Sequence, residues 1–65
     1  MENNYYYQHK DEILALDKEL MEEYGMMFSL ADVVGEFDRR NGAPENAFAQ
    51  AQAFYVYVRK NGGLK

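Results

Sequence analysis

A chain of 65 residues with no cysteine has to hold its core together by helix packing or by self-association. At this length folding buries only about 60% of the surface that the unfolded chain exposes, which leaves little margin. The missing cysteines remove disulfides and thiolate metal ligands, and the single His9 leaves almost no imidazole chemistry. No cofactor and no metal site are therefore expected. Hydrophobic residues make up 48% of the sequence, too many for a disordered segment, and no apolar run reaches membrane-spanning length. The first thirty residues show no basic segment followed by an apolar stretch. That pattern predicts no secretory signal and a cytoplasmic location.

The formal charge of −4 is unevenly distributed. Residues 1–38 hold ten acids against two cations, Lys10 and Lys18, a local charge of −8. Residues 39–65 hold only Glu45 against Arg39, Arg40, Arg59, Lys60 and Lys65, a local charge of +4. Such asymmetry marks either an interaction surface or complementarity within the fold.

Hydrophobic period and punctuation predict three helices. The first runs from Gln8 to Tyr24, with Ile13, Leu16, Leu20 and Tyr24 on one stripe, and Gly25 is its left-handed C-terminal cap. The second starts at Ser29, a good N-cap with Asp32 three residues on, and ends at Arg39-Arg40. Its core face is Leu30, Val33, Val34 and Phe37. Pro44 suits the first turn of the third, which buries Ala47, Phe48, Ala51, Phe54, Tyr55 and Val58 and stops at Asn61-Gly62-Gly63. The expected fold is all-α: one compact antiparallel three-helix domain over residues 1–65, joined by short connections. Residues 1–7 are an N-terminal arm that either frays or lids the core. The alternative is a small α+β fold, because Phe54-Tyr-Val-Tyr-Val58 has strand propensity. In the antiparallel arrangement Glu22 and Glu23 fall near Arg59 and Lys60, while Asp11, Glu12 and Glu19 have no cationic neighbour.

Three features are candidates for function. The far side of the third helix carries Ala49, Ala53, Val56 and Tyr57, more apolar surface than so short a chain can cover. This face is expected to meet a partner protein or a second copy of the chain as a homodimer. The first helix carries an acidic face of Asp11, Glu12, Glu19, Glu22 and Glu23, able to steer association with a basic partner; the alternative is a solvated face that keeps the protein soluble. Asp17 falls inside the apolar arc with Lys10 two turns earlier, and such a carboxylate needs a partner or access to water. Met21, Met26 and Met27 flank the first turn and are read as gap-filling.

Catalysis finds no support. There is no Cys nucleophile, no second His, no glycine-rich phosphate loop, and no pair of carboxylates opposed across a cleft. The chain is too short for a sizeable small-molecule pocket. DNA binding is the main alternative, because Leu30–Val58 has the outline of a helix-turn-helix. Its second helix, however, offers no Lys or Arg before Arg59, and a pI of about 4.8 lacks the electrostatic footprint. Arg39-Arg-Asn-Gly-Ala-Pro44 together with Tyr55–Leu64 resembles a stretch of AT-rich interaction domains, but over less than half of the chain, and the match is taken as coincidence. The expectation is a non-enzymatic protein–protein interaction module. In its sharper form it inhibits a nucleic-acid-handling protein, as small acidic phage or mobile-element proteins do. The alternative is a small DNA-binding regulator touching phosphates through Arg39, Arg40, Arg59 and Lys60.

Overall fold

A computed structural model describes residues 1–64. The fold is all-α, with four helices and no strand among the described residues: α1 (Tyr5–Gln8), α2 (Lys10–Tyr24), α3 (Leu30–Asn41) and α4 (Ala47–Lys60). The three long helices form the antiparallel domain, and residues 54–58 lie inside α4, which removes the strand alternative. Several boundaries follow local chemistry. Gly25 takes the left-handed conformation (φ 65°) that only glycine adopts freely, and its N–H donates to the Met21 carbonyl at 2.8 Å. Ser29 Oγ accepts from the Asp32 N–H at 3.1 Å, satisfying one of the unpaired donors of α3.

Two boundaries differ from expectation. The first helix is broken at His9 into a short α1 and a long α2. Pro44 also lies outside α4: a turn at Glu45-Asn46 intervenes, with Asn46 in the left-handed region (φ 55°), so the helix starts at Ala47. Asparagine tolerates that conformation better than other residues with a Cβ.

The core is Tyr6, Ile13, Leu16, Leu20, Val33, Val34, Phe37, Ala51, Phe54 and Val58. Two expected members, Tyr24 and Phe48, lie in solvent, and three, Leu30, Ala47 and Tyr55, are only half-buried. Tyr24 ends α2 where the chain turns away, at the edge of an open groove. Phe48 follows Ala47 by one residue, about 100° round the helix from the stripe of Ala47, Ala51, Phe54 and Val58. Both are exposed. Leu30 and Tyr55 are half-buried against the core. In their place stands Tyr6, from the N-terminal arm, fully buried at 0% exposure.

Short as it is, α1 is tied down at every free donor. The Asn4 side chain accepts from the Tyr6 and Tyr7 N–H groups at 2.9 and 3.1 Å, and the Tyr5 N–H donates to Gln50 Oε1 at 2.7 Å. Asn4 Nδ2 in turn donates to the Gln50 carbonyl at 2.8 Å. A four-residue helix is unstable alone, so its order comes from this attachment to α4. From there Tyr6 packs on Phe54 (ring centroids 6.1 Å) and donates its hydroxyl to Asp38 Oδ2 of α3 at 2.7 Å. One side chain thus joins α1, α3 and α4.

Candidate interaction surfaces

The acidic face of α2 is partly neutralised. Arg40 at the end of α3 donates to Glu19 at 2.9 Å and to Glu36 at 2.8 Å, and Arg39 grips Glu36 through two nitrogens. His9 Nδ1 lies 2.8 Å from Glu12. Glu12 and Glu19 therefore have nitrogen partners, contrary to the sequence expectation. Glu22 and Glu23 do not meet Arg59 or Lys60 in any ion pair among the described residues. The reason is positional: α1 packs on both α2 and α4, and α4 packs on α1 and α3. Asp11, Glu22 and Glu23 remain exposed.

The Arg39 guanidinium, and then that of Arg40, holds the Glu36 carboxyl down at about 2. A depressed folded-state pKa stabilises above the ordinary carboxylate range and loses that contribution as pH falls toward the folded value. Wild-type unfolding midpoints are expected to drop between about pH 4.5 and pH 2. Glu36→Gln should flatten that drop, measured by circular dichroism of urea melts across the range. An identical pH dependence in the variant would show that the cluster contributes nothing.

The far face of α4 is only partly as expected. Ala49, Ala53 and Val56 are exposed, Val56 at 41%. Tyr57 turns inward instead: it is half-buried, with its ring edge-to-face on Tyr7 at 5.1 Å. The position sequence reasoning misses is Phe48, next to Ala49 in the chain and 79% exposed. Its place outside the Ala51/Phe54/Val58 stripe was the signal available. Arg59 and Lys60 border this face at its C-terminal end, and Glu45 stands before its first turn.

A second apolar surface lies at the α2–α3 turn, where Tyr24, Met26 and Met27 are 58%, 59% and 83% exposed. These methionines fill no gap; they stand in solvent. A groove of about 530 Å³ runs beside them, lined by Leu20, Tyr24, Met26, Phe28, Asp32, Glu36 and Arg39. Phe28 meets Tyr24 edge-to-face at 5.6 Å. Interaction with the neighbouring Glu23 carboxylate raises the Tyr24 hydroxyl pKa, which places that acid at the rim. Glu22, Glu23 and Asp32 have no ion-pair partner among the described residues.

Asp17 and Lys10 do not pair. The Lys10 ammonium sits 4.6 Å from the centroid of the Tyr7 ring. Asp17 is half-buried at a small groove of about 180 Å³ with Phe28, Leu30, Val33, Val58 and Leu64. Its oxygens still reach water: among the described residues the only buried side-chain oxygen without a hydrogen bond is Asp38 Oδ1. No group of three His, Asp or Glu side chains among the described residues could hold a metal ion, and no helix is long and apolar enough to cross a membrane. The chain matches no protein-family model, no curated protein and no solved structure.

Proposed function

We propose that this chain is a non-enzymatic interaction module that works by laying the outer face of α4 on another protein. The observation that carries the reading is the exposure of Phe48 together with Ala49, Ala53 and Val56 on one helix face. An aromatic anchor among small residues lets a partner approach closely and buries a large apolar side chain at the contact. Asp11, Glu22 and Glu23 supply a negative field from α2 that steers a basic partner during encounter. A nucleic-acid-handling protein is such a partner, and occupying its surface would inhibit it.

The DNA-binding alternative ranks lower because its best phosphate ligands are engaged. Arg39 and Arg40 spend their guanidinium groups on Glu36 and Glu19, leaving Arg59 and Lys60 beside an apolar surface. The test is affinity capture from an extract of the source organism, using the wild type and a Phe48→Ser/Val56→Ser variant with matching helical circular dichroism. A defined protein retained by the wild type and lost by the variant is the expected result. Equal capture by both, or a strict monomer that captures nothing, overturns the reading. Binding to mixed-sequence DNA with a steep salt dependence would put the alternative first.

A further inference from the structure

The two exposed apolar surfaces have opposite electrostatic surroundings. Around the α2–α3 groove stand two exposed carboxylates, Glu23 beside Tyr24 and Asp32 in the lining, with no ion-pair partner among the described residues, while Arg39 and Arg40 are paired with Glu36 and Glu19. The outer face of α4 has the reverse arrangement. Arg59 and Lys60 border its C-terminal end, exposed and in no ion pair among the described residues, while its nearby acids, Glu45 and Glu2, lie toward the other end. The −8 and +4 halves of the sequence are therefore only partly reconciled within one molecule.

Shape follows the same division. Phe48 is a projecting aromatic knob on a face otherwise made small by Ala49 and Ala53. The groove is a concave surface of two aromatic rings and one thioether, Tyr24, Phe28 and Met26 over Leu20, with Asp32, Glu36 and Arg39 on its α3 wall. Methionine adapts its shape to an incoming ring and makes favourable sulfur–aromatic contacts. Both surfaces are open to solvent in a single copy, so any contact between them joins two copies.

We infer that the α2–α3 groove receives the α4 face of a second copy of this chain, with Phe48 as the inserted side chain. The inference rests on the proposed role of α4 as a docking face and names what it docks on. Arg59 and Lys60 of one copy then lie against the carboxylates at the groove of the next. Knob and groove are different surfaces, so the contact is heterologous. It builds open chains that leave one free knob and one free groove at their ends, or rings that leave none, instead of closing as a two-fold dimer.

Sedimentation of four samples tests this. The wild type is expected to gain average mass with concentration, and to lose it as salt screens the opposed charges. Phe48→Ser/Val56→Ser keeps the groove but not the knob; Tyr24→Ser/Met26→Ser keeps the knob but not the groove. Each should be monomeric alone. Mixed in equal amounts, they should form a one-to-one pair that grows no further. All four substitutions are at exposed positions, and unchanged helical circular dichroism confirms that the variants remain folded. A two-fold contact of α4 with α4 predicts instead that the groove variant self-associates as the wild type does and that mixing adds nothing. That result overturns the inference, as does a wild type that stays monomeric at every concentration. A monomer that still captures another protein through Phe48 overturns this contact alone. A monomer that captures nothing overturns the proposed function as well.

Discussion

Replacing Tyr6 by alanine is expected to leave the chain largely unfolded in dilute buffer. Removing a fully buried large aromatic side chain costs about 3–5 kcal/mol. A core of this size rarely supplies more than about 3–5 kcal/mol in total, so the loss is comparable to the whole stability. Tyr6 is 0% exposed and touches α3 and α4 together, so no neighbouring element can relax into the void without breaking another contact. Tyr6→Phe separates the two parts of its role. The ring stays, but Asp38 Oδ2 loses its donor while Oδ1 already has none. Losing that bond at a half-buried carboxylate costs about 1–3 kcal/mol. Adding Asp38→Ala to Tyr6→Phe removes the stranded acceptor, so the double variant should lose less than the sum of the two single losses. Urea melts followed by circular dichroism measure all four proteins. Wild-type midpoints for Tyr6→Ala would mean that α1 is decoration and that α2, α3 and α4 fold without it.

The long helices were legible because each repeats its signal. Ile13, Leu16 and Leu20 share a stripe at helical spacing, as do Val33, Val34 and Phe37, and all six are buried. The caps at Gly25 and Ser29 were equally readable, since each needs only its own backbone and near neighbours. Tyr6 was legible only in part: the arm was expected to fray or to lid the core, but four residues carry no period that says which tyrosine is buried. The bonds that hold α1, Asn4 and Tyr5 to Gln50, join positions 45 and 46 residues apart. Phe48 and Tyr24 show the complementary failure. Angular arithmetic says which side of a helix a residue occupies but not whether another element stands there. The same gap misplaced the charges: Arg40 meets Glu19 only because the last turn of α3 lies beside the middle of α2. Apart from the helix boundaries at His9 and Pro44, the departures concern which segment sits next to which.

Alkaline pH is expected to unfold the protein through the same tyrosine. Burial, then the hydrogen bond to Asp38 and its charge, push the Tyr6 hydroxyl well above its ordinary value of 10.0. In the unfolded chain that hydroxyl ionises near the ordinary value. A raised folded-state pKa means that the native protein holds the proton more tightly. Its contribution is complete below pH 10 and is lost as pH rises from there toward the folded value. Each pH unit in that window removes about 1.4 kcal/mol for one such proton. Tyr55, raised by burial and by the Asp38 charge, adds to the loss with the same sign. Against a small total stability, one or two units suffice to unfold the chain. Helical circular dichroism followed against pH should therefore fall in one cooperative step, and the part of the tyrosinate absorbance that belongs to Tyr6 should appear in that same step. Tyr6→Phe has no hydroxyl to titrate at that position and should lose stability with a shallower slope above pH 10, although it starts from a lower value. An unchanged slope would show that the ionisation opposing the fold belongs to another group, and that the Tyr6–Asp38 bond does not hold its proton in the native protein.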